Sequence, residues 1–111
     1  MMVKIKMNKT ISVYDLKRMM DAGEEFLLLD VRNEVEVNFV NIGGKKIPLH
    51  QLPFKFSELN KKQPIVVLCH HGIRSAQAQS FLLDKGFLNV SNLEGGIDQW
   101  SLKIDPELPR Y

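Results

Sequence analysis

Two kinds of spacing alternate along the chain. Short unbroken apolar runs, such as "FLLLD" at 26–30 and "IVVLC" at 65–69, are separated by longer segments whose apolar residues recur every three or four positions. Unbroken runs predict strands covered on both faces, and the wider spacing predicts helices with one buried stripe. In chain order, "KTIS" predicts a brief strand, and Ser12 with Asp15 three residues on predicts a capped helix start. That helix presents Val13, Leu16 and Met20 on one face and is expected to stop near Gly23. "EFLLLD" follows as a strand, then a short helix from Glu34 to Phe39, a turn at Gly43–Gly44 and a short strand in "KKIPL". "HQLPFKFSELN" predicts one or two helical turns broken at Pro53. Pro64 opens the clearest strand, "PIVVLC". Ser75 to Lys85 predicts a helix with Ala78, Phe81, Leu82 and Lys85 along one stripe and Gly86 as its stop. "FLNVSNL" gives a last strand, and "GGIDQW" opens a final helical turn.

Strands alternating with helices point to an α/β domain with a mainly parallel sheet. At 111 residues, with no repeat or linker, the chain reads as one domain over 1–111. Residues 1–9 read as an N-terminal extension and 102–111 as a C-terminal tail. A composition of 44% hydrophobic and 25% charged residues supports a core without metal or disulfide help. The net charge of +2 is too small to imply nucleic acid, and Lys4, Lys6, Lys9, Lys45, Lys46, Lys61 and Lys62 read as solvated surface, with an anionic partner as the other reading. One cysteine forms no internal disulfide, and the Cys/His spacing offers no zinc site, so no metal is expected. The basic start lacks the apolar run of a signal peptide, and no run is long enough to span a membrane. A soluble protein of a reducing compartment, the cytoplasm, is the expectation, with no membrane partner.

In parallel sheets chemistry gathers beyond the carboxyl ends of the strands, where Asp30 and Cys69 stand. The segment "CHHGIRSAQA" is a strand end, a tight loop and a helix start. The N–H groups of His70, His71, Gly72, Ile73 and Arg74 have no intrahelical acceptors, and the helix dipole adds positive charge. Gly72 lets the backbone curl so that these groups converge, Arg74 adds a fixed cation, and Ser75 opens the helix. Such a cradle favours a thiolate at Cys69 and a small anion beside it. A lone strand-end cysteine is by itself an ordinary core residue. The Gly72, Arg74 and Ser75 context is what argues for a nucleophile. His70 and His71 have two readings, as substrate-orienting or proton-donating groups, or as loop residues facing solvent.

Four segments, "LLLDVRNEVEV", "IPLHQLP", "VVLCHHGIRSAQA" and "VSNLEGGIDQW", resemble a single-domain rhodanese-like sulfurtransferase from about residue 10 to the end. From Cys69 onward the chain is similar to rhodanese domains appended to adenylyltransferases of molybdopterin and thiocarboxylate pathways. The resemblance implies a rhodanese-like fold, a five-stranded parallel sheet flanked by helices on both faces. It implies a ping-pong reaction in which Cys69 takes sulfur from a small anionic donor such as thiosulfate, forming a persulfide. A small thiol, cyanide or a protein acceptor then removes it, with no cofactor beyond the transient persulfide. The N–H groups of residues 70–74 hold its charge, Arg74 attracts the donor, and Asp30 and Arg32 brace the site. Asp30 as a plain strand-end cap is the other reading. Gly95, Gly96 and Trp100 look like architecture.

Two departures from the family pattern stand out. "NIGGKKIPL" replaces the usual "GHIPGA", which alters the pocket rim. Arg74 lies five residues after Cys69, whereas phosphatases and arsenate reductases of this fold place the arginine six after. The shorter loop encloses a smaller cavity, suited to sulfur rather than phosphate. Phosphatase or arsenate reductase chemistry is thus the lesser alternative, beside a non-enzymatic sulfur-relay, partner-binding or redox-sensing module. Partner docking is expected near the loop, at Lys45, Lys46 or "DPELPRY".

Overall fold

A computed structural model describes residues 8–111, so Lys4 and Lys6 lie outside the described residues. Five strands, β1 (Thr10–Ile11), β2 (Leu27–Asp30), β3 (Lys45–Lys46), β4 (Ile65–Leu68) and β5 (Val90–Leu93), form one sheet in the order β1-β5-β4-β2-β3. Every neighbouring pair runs parallel. Helices α1 (Val13–Asp21), α2 (Glu34–Phe39), α3 (Leu52–Lys55), α4 (Ile73–Asp84) and α5 (Gly96–Lys103) lie between and after the strands.

Alternate strand residues feed opposite layers, which is why the strand sequences are unbroken apolar runs. Leu29, Ile65 and Val67 pack with Leu52, Ala78 and Leu82 from α3 and α4. Leu28, Val66 and Leu68 face the other way, onto Val13, Leu16, Ile97 and Trp100 from α1 and α5. At the start of α1 the Ser12 hydroxyl accepts from Asp15 N–H at 3.1 Å, and Ser12 N–H donates to the Asp15 carboxylate at 3.0 Å. Asn33 and Glu36 build the same reciprocal cap on α2.

Several local expectations are corrected. Met20 is exposed, because it falls in the last turn of α1 and Met19 takes the inward position instead. Pro53 does not break its helix; it sits in the first turn of α3, where the missing N–H has no intrahelical use. The "KKIPL" strand contracts to Lys45–Lys46. Helix α4 begins two residues before Ser75, and its buried stripe is Ser75, Ala78, Gln79 and Leu82. Lys85 is exposed, with its ammonium over the rings of Phe56 and Phe81. Gln79 turns inward because its amide donates to the carbonyls of Lys9 and Val90 at 2.7 and 2.9 Å. Helix α5 runs eight residues rather than one turn, so the tail starts after Lys103, not at 102.

The topology decides where a ligand crevice falls. From β2 the chain crosses to β3 on one side, and from β4 it crosses to β5 on the other. The adjacent strands β2 and β4 therefore form the switch point of the sheet. Their register pairs Asp30 with Leu68, so Asp30 and Cys69 emerge together at the carboxyl edge.

Candidate active site

Cys69 is 1% exposed and packs in the same apolar cluster as Leu29, Val67 and Ala78. Its sulfur is nevertheless surrounded by polar groups on the loop side. Gly72 N–H donates to Sγ at 3.0 Å and Ser75 N–H at 3.4 Å, with Ser75 Oγ 3.3 Å away. Gly72 has φ +107°, a left-handed conformation that turns the chain into α4 and aims its own N–H at the sulfur. Asn92 on β5 fixes this arrangement from below. Its Nδ2 donates to Gly72 O at 3.1 Å, and its Oδ1 accepts the Ser75 hydroxyl at 2.5 Å. Two N–H donors beside the start of a helix stabilise negative charge on sulfur, whether on a thiolate or on a sulfur attached to it.

Gly95 and Gly96 do more than turn the chain. Ile97 N–H donates to Cys69 O at 2.9 Å and Asp98 N–H to His70 O at 3.2 Å, so the first turn of α5 clamps the loop. A Cβ on Gly96 would stand 2.4 Å from Cys69 O and 2.5 Å from His70 O, at φ +58°. Gly96→Ala should therefore cost about 1–3 kcal/mol and change the rate at which iodoacetamide alkylates Cys69. At Gly95, φ +76°, the nearest atoms to an added Cβ belong to the Gln99 side chain, including its Cβ at 2.8 Å, and not to the loop carbonyls, so Gly95→Ala should lose stability with a smaller change in alkylation. Thermal melts with alkylation kinetics separate the two; equal effects of both on Cys69 would argue against the clamp.

Beneath the loop, Arg32 is fully buried. All five of its side-chain N–H donors are used. Nε and one terminal nitrogen grip Asp30, the latter at 2.6 Å, and that nitrogen also reaches Val40 O at 2.8 Å. The other terminal nitrogen donates to Glu36 O at 3.3 Å and to the Tyr111 hydroxyl at 3.2 Å. Burial works against the charge of Arg32, but the bonds to Asp30 and Tyr111 outweigh it and hold the proton more firmly than usual. Asp30, also fully buried, is thus the partner of Arg32.

Arg74 does not point into an open anion site. It forms a two-bond fork on Glu36, at 2.6 and 2.7 Å, which raises its pKa further. The Tyr111 hydroxyl donates to the same carboxylate at 2.6 Å. The Tyr111 ring stacks on His70, 3.8 Å between ring centres and 7° from parallel, and meets Phe39 edge-on. Burial first, and then the neighbouring His71, push the pKa of His70 down, favouring the neutral ring, and its buried Nε2 has no hydrogen-bond partner. His71 is largely exposed, with Nδ1 3.9 Å from Asp98. Arg110 donates to Asp98 at 2.8 Å.

Of the residues singled out from sequence, Cys69, Gly72 and Ser75 come together at the sulfur, and Asp30 and Arg32 lie below them. Arg74 is drawn to α2, Ile73 is exposed, and the two histidines sit beneath or beside the tail. Lys45 pairs with Glu58 at 3.4 Å, and Lys46 donates to Gly44 O at 2.9 Å. Glu36, Asn92, Asp98 and Tyr111 are additions from the structure. Asn92 had a signal, since asparagine is unusual inside a strand. Glu36 and Tyr111 had none beyond helix capping and a polar tail. Among the described residues, no cluster of three or more His, Cys, Asp or Glu is placed to hold a metal, and no helix is long and apolar enough to cross a membrane.

Fold and loop together place the chain among parallel α/β domains that present a thiol in an N–H-lined loop at the sheet's switch point. Within that class it belongs to the rhodanese-like domain family, whose pattern matches residues 12–103. A sulfurtransferase of Allochromatium vinosum is 37% identical over 79 residues, covering 70% of this chain and 74% of that protein. An adenylyltransferase and sulfurtransferase of Zea mays, MOCS3-2, is 34% identical over 109 residues, 91% of this chain but 23% of that protein. A rhodanese-related protein of Thermoplasma volcanium, known from its crystal structure, is 35% identical with a TM-score of 0.76, covering 91% of this chain and 95% of that one. The chain spans less than a third of the length of several curated relatives it matches, 31% and 23% in two of them. Members of the family related to this chain are sulfurtransferases.

Proposed function

We propose that the protein moves a sulfane sulfur from a donor such as thiosulfate to a thiophilic acceptor through a persulfide on Cys69. The observation that carries this reading is the Cys69 sulfur at the switch point, with the N–H groups of Gly72 and Ser75 aimed at it. The Cys69 thiolate attacks the outer sulfur of thiosulfate, the S–S bond breaks, and sulfite leaves with the bonding pair. A negatively charged persulfide remains, one atom longer than the thiolate, and the same N–H groups stabilise it. Cyanide in an assay, or a thiol or protein acceptor in the cell, takes the terminal sulfur and restores the thiolate. With a single cysteine in the sequence, the acceptor comes from outside these 111 residues. No cofactor or metal enters this scheme. A nucleophilic thiol works where it stays reduced, so the setting we propose is a reducing compartment, the cytoplasm.

The test is intact mass after brief thiosulfate treatment, before and after cyanide. A gain of one sulfur atom, discharged by cyanide as thiocyanate, is the expected result. The near-complete coverage of Cys69 favours a second reading, a module that binds a partner or senses redox state without turnover. No mass gain from thiosulfate or from any persulfide donor would select it.

A further inference from the structure

Three arginines surround the Cys69 loop, and each already has a carboxylate. Arg32 grips Asp30, Arg110 holds Asp98, and Arg74 forks onto Glu36. The Glu36 carboxylate also receives the Tyr111 hydroxyl at 2.6 Å and the Asn33 N–H at 3.3 Å. The rim is thereby charge-balanced, and the one cation expected to draw an anion toward Cys69 is turned to α2. We propose that Glu36 is a specificity-determining residue that, by holding Arg74, selects alkyl persulfide donors over free dianions such as thiosulfate. The proposal rests on reading Cys69 as the sulfur carrier.

The physics is a cancellation. To an arriving dianion, the attraction of Arg74 and the repulsion of Glu36 act from nearly the same place, so electrostatics gives its approach little help. An alkyl persulfide, R–S–SH, has no sulfonate that needs Arg74. The Cys69 thiolate attacks its outer sulfur, the S–S bond breaks, and R–S⁻ leaves with the electron pair, placing –S–SH on Cys69. The N–H groups of Gly72 and Ser75 serve this donor as well as thiosulfate. The pair persists across working pH. The Arg74 fork, and after it the Tyr111 hydroxyl, hold the Glu36 pKa down to about 2. Burial chiefly, then the bond to Glu36, push Tyr111 up to about 12, so its hydroxyl stays a donor.

Glu36→Gln removes the charge while keeping side-chain length and helix-capping ability. The readout is kcat/KM for thiosulfate divided by kcat/KM for cysteine persulfide, a ratio in which any loss of folded protein cancels. The ratio should rise about tenfold in the variant. Thiosulfate turnover by the variant should also fall with salt, as Arg74 is released, whereas the wild type should change less than about twofold between about 50 and about 500 mM. A persulfidated cysteine peptide with neutral flanks is the third donor. Whichever persulfide is faster identifies a free or a protein-borne source, and both must outperform thiosulfate in the wild type for the proposal to stand. An unchanged ratio, or a wild-type salt profile as steep as that of the variant, overturns it. Should Glu36→Gln not fold, the wild-type salt profile and donor order decide alone. Failure of every donor to load Cys69 would instead sink the sulfur-carrier reading, and this proposal with it.

Discussion

Cys69→Ser is expected to take up no sulfur from any donor and to lose thiosulfate:cyanide turnover by about a thousandfold or more. The substitution is close to isosteric, and the serine oxygen can still accept from the N–H groups of Gly72 and Ser75. What it cannot do is form the S–S bond on which storage of the sulfur depends. No other cysteine stands in the chain to replace it. Because Cys69 also packs in the apolar core, stability should change by about 1–2 kcal/mol, too little to explain a complete loss of uptake. The comparison is therefore made at a temperature where melts show both proteins folded, by intact mass and thiocyanate release. Turnover by folded Cys69→Ser at wild-type rate would end the proposal that this sulfur carries the reaction.

The parts of the fold that one-dimensional patterns encode are legible in the sequence. β2 and β4 are readable because covered strands require unbroken apolar runs, and α1 because Ser12 meets an acid three residues on. Cys69, Gly72 and Ser75 are readable as a group because one loop carries all three. What the sequence hides depends on contacts far apart in the chain. Arg74 and Glu36 are 38 residues apart, and Tyr111 and Glu36 are 75 apart, so nothing local announces that they share one carboxylate. Short-range reasoning assigns Arg74 to the nearest chemistry, the sulfur loop, and misses the competing partner. Gln79 and Lys85 fail for a related reason. Helical spacing gives a stripe but not which polar group finds a buried carbonyl, and Gln79 finds two while Lys85 finds aromatic faces at the surface.

The largest expected effect on stability belongs to Arg32. Arg32→Met fills much of the same space but removes all five side-chain donors and leaves the fully buried Asp30 carboxylate with the residue-32 backbone N–H, at 3.1 Å in the wild type. Breaking one side of a buried ion pair in this way costs about 3–5 kcal/mol, a large share of the total for a domain of this size. Asp30→Asn added to Arg32→Met removes the stranded charge and keeps an oxygen to accept that N–H, so the double variant should recover at least half of the loss. Denaturant midpoints at unchanged slope are the measurement. A single variant within about 1 kcal/mol of wild type, or a double variant no more stable than the single, would show that the pair is not what holds this region. An apolar pair could in principle give equal stability here. It could not reach the end of β2, two carbonyls of α2 and its C-terminal cap, and the Tyr111 hydroxyl at once, as the guanidinium of Arg32 does. Those are the elements that position Glu36 and the tail above Cys69, so Arg32→Met should disturb donor selectivity as well as stability. Restoring stability with Asp30→Asn should leave the selectivity change in place, because the links to α2 and Tyr111 are still missing.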